Sequence, residues 1–298
     1  MSTFGYTAVD LSRLPAPDVV EPLDFEAIFS AMLAKLRELD DTFTALIESD
    51  PVYKALQVAA YRELLIRQRI NDAAKAVMLA YAQKSDLDHL GALLGVGRLQ
   101  LAPGDPDRGI PPTMESDTDY RRRITLAPEG FSVAGPEGAY IYHALSASSQ
   151  VLDASATSPE PAHVVVTVLS RKGDGTATAD LCAAVATAVN ADNVRPMTDE
   201  VTVQSAVIVP YEVKGTITTF AGPDSAVVLA ESRKRLDAYV AESHRIGRDI
   251  TMSGLYAALH CDGIQRVTLT SPAGDIAIDR TQAPFCTAVE LHYGGVDE

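Results

Sequence analysis

The stretch Asp50–Ile70, DPVYKALQVAAYRELLIRQRI, limits what this chain can fold into more than any other. Asp50 can cap a helix, and Pro51 can occupy its first turn, where a missing N–H is no loss. Val52, Leu56, Ala60, Leu64, Arg67 and Ile70 fall on or near one helical stripe. NDAAKAVMLAYA carries the stripe on through Ala74, Val77, Met78 and Tyr81. An unbroken helix over these residues spans roughly 45–50 Å at 1.5 Å per residue. Helices of that length usually pack in a bundle with other long helices. Arg62, Arg67 and Arg69 do not suit a dry monomeric core. Their rigid donor forks suit ion pairs at subunit interfaces, although the same residues also fit a solvated basic face on an ordinary helix.

Charge is spread unevenly around this helix. Residues 1–50 hold ten acids and three bases, a net of −7, whereas residues 51–84 hold six bases and two acids, a net of +4. An acidic segment followed by a basic helix invites pairing, within a subunit or between subunits. Exposed ion pairs contribute only about 0–1 kcal/mol each, so they set register more than stability. The whole chain carries a formal net charge of −15, which repels phosphate backbones and argues against nucleic-acid binding. With 47% hydrophobic and 22% charged residues, a packed core is expected rather than disorder. No apolar run approaches a membrane span, and MSTFGYTAVDLSRL lacks a signal peptide's basic start and apolar run, so folding in the cytoplasm without membrane insertion is expected. Cys182, Cys261 and Cys286 have no CxxC spacing and fit reduced thiols.

The expected architecture is α+β: an N-terminal long-helix bundle segment followed by two tandem α+β units. Residues 1–97 form an arm and the bundle helices. Pro15, Pro17 and Pro22 keep residues 1–22 irregular, and a first helix spans about Asp24–Glu48. A short third helix starts at Ser85 with a capping-box-like S-D-L-D; Leu87, Leu90, Leu93 and Leu94 supply its apolar face, and Gly95 and Gly97 end it. Residues 98–134 form a Pro/Gly-rich connector in which ESDTDYRRRI opens a helix at Ser116 or Asp117. Arg121, Arg122 and Arg123 point in different directions on such a helix, which favours a salt-bridged junction with neighbouring acids over a nucleic-acid patch. Residues 135–205 form the first α+β unit: a helix over Glu137–Ala147, strands at Val151–Thr157 and His163–Ser170, a helix over Thr178–Asn190 and a strand at Glu200–Ser205. Residues 206–298 form the second: a strand over Ala206–Phe220 with an edge or bend at Pro210, helices over Asp224–Ser243 and Met252–His260, and strands at Ile264–Thr270 and Thr287–Tyr293. Gly138-Ala-Tyr…Ala144-Leu145…Val151 echoes Gly254-Leu-Tyr…Ala258-Leu259…Val267, as two related helix–strand units would.

Patterns that carry chemistry are missing from the sequence. GVG at 95–97 and GDG at 173–175 lack the strand-to-helix setting of a phosphate loop. The histidines have no HxxxH or HExxH spacing, DPD at 105–107 lacks the pattern of a calcium loop, and no GxSxG elbow occurs. Cys182 in an Ala-rich helix is expected to have a raised pKa and to be inert. The cluster His244, Arg245, Arg248 and Asp249 could form a catalytic centre by composition alone; an ion pair between two helices is the more ordinary reading. No catalytic residue, cofactor or metal is expected.

DPVYKALQVAAYRELLIRQRINDAAKAVMLAYA, then SDLDHLGALLGVGR and ESDTDYRRRI, resembles the baseplate J-like family of contractile phage tails and phage-tail-like bacteriocins. The likeness continues through GPEGAYIYHALSA, VVVTVLSRKGDGTA, NVRPMTDEVTVQSA, HRIGRDITMSGLYAALH and GIQRVTLTSPAGDI, from about residue 10 to the end. The resemblance implies a structural wedge subunit, not an enzyme. It implies a second copy of the chain and a smaller I-like wedge protein as partners, with six wedges around a central hub and spike and a sheath-initiating lysozyme-like subunit nearby. Such a chain assembles in the host cytoplasm, ends in the baseplate of the tail, and rearranges when the sheath contracts. Tyr53, Arg62, Arg67, Arg69, Leu87, Leu90, Tyr120, Arg121 and Arg122 are the expected partner-facing residues. Expected hinges lie at Pro103–Pro112 and Ala134–Gly135–Pro136. Two rivals stand beside this reading. One is an α+β enzyme with a site near Asp249. The other is a receptor-binding tail protein, but those are usually β-rich trimers and the first third here is helical.

Overall fold

The computed structural model describes residues 11, 14–15, 17, 21–43, 47–222 and 224–297. Most of the expected N-terminal arm lies outside them. The described residues divide into two compact units. One holds the described part of Val9–Arg98 with Ser116–Arg121; the other holds Leu99–Glu115 and the described part of Arg122–Glu298.

In the helical unit, α1 (Phe25–Leu39) and α2 (Pro51–Ala76) both begin as their sequences dictate. Asp24 accepts the Ala27 N–H, and Asp50 accepts the Val52 N–H at 2.7 Å with Pro51 in the first turn. Both helices end earlier than their apolar stripes suggest. At the end of α1 the Asp40 carboxylate bonds the backbone N–H and hydroxyl of Thr42, a local turn that competes with the next helical bond. The hydroxyl is the larger cause holding the Asp40 carboxyl below its ordinary range. α2 gives way to turns after Ala76, so it spans about 39 Å rather than reaching Tyr81. The carbonyls released there are not orphaned, because the Arg121 guanidinium donates to Leu79 O at 2.7 Å and Ala82 O at 2.6 Å. α3 (Lys84–Ala92) starts one residue before the expected Ser85 cap. Its first N–H donates to Asp117, at the start of α4 (Asp117–Leu126). Gly95 ends this segment with φ +70, which a residue with a Cβ rarely adopts.

The second unit contains the sheets. β1 (Gln100–Ala102) and β2 (Thr113–Met114) pair as a short antiparallel ribbon. α5 (Glu137–Ala147) leads into β3 (Val151–Glu160), β4 (His163–Ser170), α6 (Ala179–Val189) and β5 (Glu200–Ser205). These strands form one sheet in the order β3-β4-β5, antiparallel then parallel, with α6 making the crossover. Tyr140, Ile141, Ala144 and Leu145 of α5 and Leu181, Val185 and Val189 of α6 bury Val151, Ala154, Val166 and Val168.

β6 (Val207–Thr219), α7 (Ser225–Ser243), α8 (Met252–Leu259), β7 (Ile264–Ser271) and β8 (Gln282–Val296) complete the unit. Their sheet has the order β7-β6-β8, with β7 antiparallel and β8 parallel to β6. Val228 and Leu236 of α7 and Leu255 and Leu259 of α8 cover Tyr211, Val213 and Ile217. β6 passes Pro210 without breaking. Only β8 pairs with it there, since β7 joins from Lys214 onward, so the missing N–H disturbs no second ladder. A smaller core of Leu169, Ala206, Ile246 and Ala283 links the two sheets.

Candidate functional site

α2 carries apolar side chains on two roughly opposite faces. One packs on α1, where Ile28, Phe29 and Ala60 are buried among Phe25, Met32, Leu33, Tyr53, Leu56 and Leu64. Tyr53 meets Phe29 edge to face with ring centroids 4.8 Å apart, so much of it is used within the chain. The other face exposes Val58, Tyr61, Leu65, Ile66 and Ile70. Arg62 and Arg69 stand exposed among them, with no ion pair to any described residue. Arg67 faces the other way. It pairs with Glu63 at 2.7 Å and Glu21 at 3.0 Å, and Glu63 foremost holds its pKa above the ordinary value. Asn71 fixes Glu21 by bonding both its N–H and its carbonyl.

The other residues expected to face partners are largely enclosed. Leu87 is fully buried and Leu90 half-buried, while the neighbouring Leu93 of the expected apolar face is exposed. Tyr120 is buried, its hydroxyl donating to Val96 O at 2.7 Å, with the Arg98 guanidinium 4.6 Å above its ring. Burial works against the Arg98 charge, but Asp88 and Asp117 outweigh it and raise its pKa. The three consecutive arginines take three kinds of partner. Arg121 holds the carbonyls after α2. Arg122 pairs with Asp153 at 2.7 Å. Arg123, itself buried, grips buried Glu115 through two bonds of 2.9 and 2.7 Å, and Glu115 in turn accepts the Leu99 N–H.

Asp153 is the focus of the polar contacts that tie the two sheets together. It sits within β3, and its side chain is only 4% exposed. Its carboxylate accepts from Arg122, from Ala154 N–H at 2.8 Å and from Ile246 N–H at 3.0 Å. Beside it, Arg245 donates to Leu152 O at 2.7 Å. Further along β3, Ser155 donates to Arg280 O, while Arg280 donates to Ala156 O and pairs with Glu137. The segments around 245 and 280 therefore read the outer edge of β3. An acid alone in an apolar strand, as in VLDASA, was the sequence signal for this node, since a buried carboxylate requires donors.

The cluster around Asp249 is not the interhelical ion pair expected from its composition. Asp249 accepts the Ile278 N–H at 2.7 Å. His244 donates from Nδ1 to Pro284 O, and Arg248 reaches Glu242 at 3.3 Å. Each group fixes a chain segment rather than converging on a cleft. Burial is the largest cause raising the pKa of all three thiols, as expected for Cys182. Among the described residues no three His, Cys, Asp or Glu gather to hold a metal, and no helix is long and apolar enough to cross a membrane.

Three family models match successive parts of the chain: the Baseplate J-like N-terminal domain over residues 48–105, the Baseplate J-like central domain over 132–205, and the Baseplate J-like protein C-terminal domain over 211–292. The chain is also 51% identical to baseplate protein J of Escherichia phage P2, over 97% of this chain and 99% of that one. The chain belongs to the baseplate J-like family. A structural comparison with the baseplate of the anti-feeding prophage covers 59% of this chain and 43% of that chain, at 12% identity and a TM-score of 0.39, too loose a match to carry an argument. In this baseplate J-like chain the Asp153 node draws on separate family segments. Asp153 lies in the central match and Ile246 in the C-terminal match, while Arg122 precedes the central match.

Proposed function

We propose that this chain is a structural wedge subunit of the baseplate of a contractile phage tail or a phage-tail-like bacteriocin. The observation that carries this reading is the end-to-end, 51% identical likeness to a phage protein named for the baseplate. Two copies of the chain assemble with a smaller I-like wedge protein. Six such wedges surround a central hub and spike, beside a sheath-initiating lysozyme-like subunit. The N-terminal helices enter a bundle with other wedge chains, and the sheet-bearing residues contact neighbouring wedges. The subunit works by assembly and rearrangement rather than by covalent chemistry, in keeping with polar clusters spent on holding chain segments. It assembles in the host cytoplasm and resides in the baseplate of the finished particle. Rearrangement hinges at Pro103–Pro112 and at Ala134–Gly135–Pro136.

Deletion of this chain from a producing cell tests the reading. Tails should fail to form complete baseplates, and supplying the intact chain should restore contractile particles. Normal contractile particles without the chain would overturn it.

A further inference from the structure

The ribbon of β1 and β2 carries a tip that is almost wholly exposed yet fixed in shape. Within residues 103–114 only Gly104 and Asp105 are partly covered, and Ile110 and Met114 are 53% and 42% exposed. Asp105 and Ile110 exchange both backbone bonds at 2.9 Å, and the Asp105 carboxylate accepts the Asp107 and Arg108 N–H groups. Gly104, at φ +71, lies so close to the returning chain that a Cβ would fall 2.5 Å from Ile110 O. At the root, the Glu115 N–H donates to Leu99 O at 2.8 Å, and buried Arg123 grips the buried Glu115 carboxylate. Bending is thereby confined to the ends of the tip, at Pro103 and Pro112. A two-stranded ribbon this short is marginal by itself, and a buried ion pair seldom adds net stability. The brace therefore points to a use for the shape that it holds.

Ile110, Pro111 and Pro112 supply the apolar part of the tip. Ile110 and Pro111 each precede a proline, which holds them extended, and Pro111 and Pro112 present no N–H. Such a segment is already ordered before it binds, and it offers ring surface in place of hydrogen-bond donors. Aromatic-lined grooves take segments of this kind. The neighbouring Arg108 turns back onto Asp105 at 3.4 Å, so its charge is met within the tip. A second copy offers no such groove among the described residues. Its exposed rings are Tyr61, Phe131, Phe220, Tyr256 and Tyr293, and none of them packs on another ring. Resting on the proposed wedge role, we propose that residues 103–114 are a docking arm, whose Ile110, Pro111 and Pro112 fill an aromatic-lined groove of a different baseplate chain.

The test uses tail particles from cells in which a variant of the full chain replaces the parental one. Ile110→Asp should lower the yield of complete particles about tenfold or more, whereas Ile110→Val and Asp107→Asn should retain it. A photo-reactive aliphatic amino acid, placed at Ile110 in one variant and at Thr113 in another, should give an adduct in assembled particles. Mass spectrometry should locate that adduct beside Phe, Tyr or Trp residues of another chain. Parental yield from folded Ile110→Asp overturns the proposal. So does an adduct with a second copy, an adduct with a segment that lacks aromatic residues, or no adduct from either position. If Ile110→Asp proves misfolded by circular dichroism, the crosslinks alone decide. Any of these failures leaves the baseplate role intact provided the chain still co-purifies with complete tails.

Discussion

Removing the Asp153 carboxylate tests how much of the sheet-bearing unit depends on one node. Asp153→Ala leaves the Ile246 N–H buried without its acceptor, a loss of about 1–3 kcal/mol. It also releases Arg122. Breaking a fully buried ion pair costs about 3–5 kcal/mol and an exposed one about 0–1 kcal/mol. The Asp153 side chain is 4% exposed but that of Arg122 is 31% exposed, so water reaches the released guanidinium and an intermediate loss is expected. Together the two effects give a destabilisation of about 3–4 kcal/mol, below a plain sum because both losses relax through the same site. Asp153→Asn loses the charge and keeps only one of the two oxygens that serve the Ala154 and Ile246 N–H groups separately, so one N–H meets an amide NH2 and a loss of about 2–3 kcal/mol is expected. Denaturant unfolding of the full chain measures both, and a cycle with Arg122→Ala should return a coupling of about 1–2 kcal/mol. A loss under about 0.5 kcal/mol for Asp153→Ala would show that the node does not hold the unit together, because a buried carboxylate with three protein donors is not removed so cheaply.

Further outcomes follow from other residues. Arg67→Ala should leave stability nearly unchanged in denaturant unfolding, because its pairs with Glu63 and Glu21 are exposed and screened by water; a clear drop in the unfolding midpoint would show that these pairs hold α2 in place. Burial is the main cause holding the His143 pKa below its ordinary value, so the unfolded chain binds the proton more tightly. The resulting stability is present above about pH 6.5 and falls as pH drops below it, and His143→Gln should flatten that part of a pH–stability curve. A fragment from Leu99 to the end should unfold in one cooperative transition, whereas one from Gly135 should melt lower, since it lacks Arg122 and the buried Arg123–Glu115 pair. Circular dichroism melts of the two fragments compare them directly.

Local rules made most of the fold legible. The expected cap at Asp50 accepts its N–H, Asp24, Thr178, Asp224 and Thr251 cap other helices by the same local chemistry, and β-branched runs such as HVVVTVLS mark their strands. The misses came from tertiary partners. The stripe of α2 runs on past Ala76, but Arg121, far along the chain, takes the carbonyls that an earlier end releases. Tyr120 and Leu87 read as surface anchors because nothing local shows that Val96 and Arg98 fold over the tyrosine. The α2 face was partly legible: the arginines stood out, but Arg67 differs from Arg62 and Arg69 by its pairs with Glu63, one turn before it, and with Glu21, far along the chain. Asp153 went unread because its donors lie 31 residues before it, at Arg122, and 93 residues after it, at Ile246.

Electron cryomicroscopy of tail particles built with this chain measures the proposed role most directly. Density for the chain is expected in the baseplate, twelve copies in six wedges, with α2 held in a bundle with a helix of another chain. Complete baseplates that contain no density for this chain, or density for it only along the tube or fibres, would rule out the proposed wedge role.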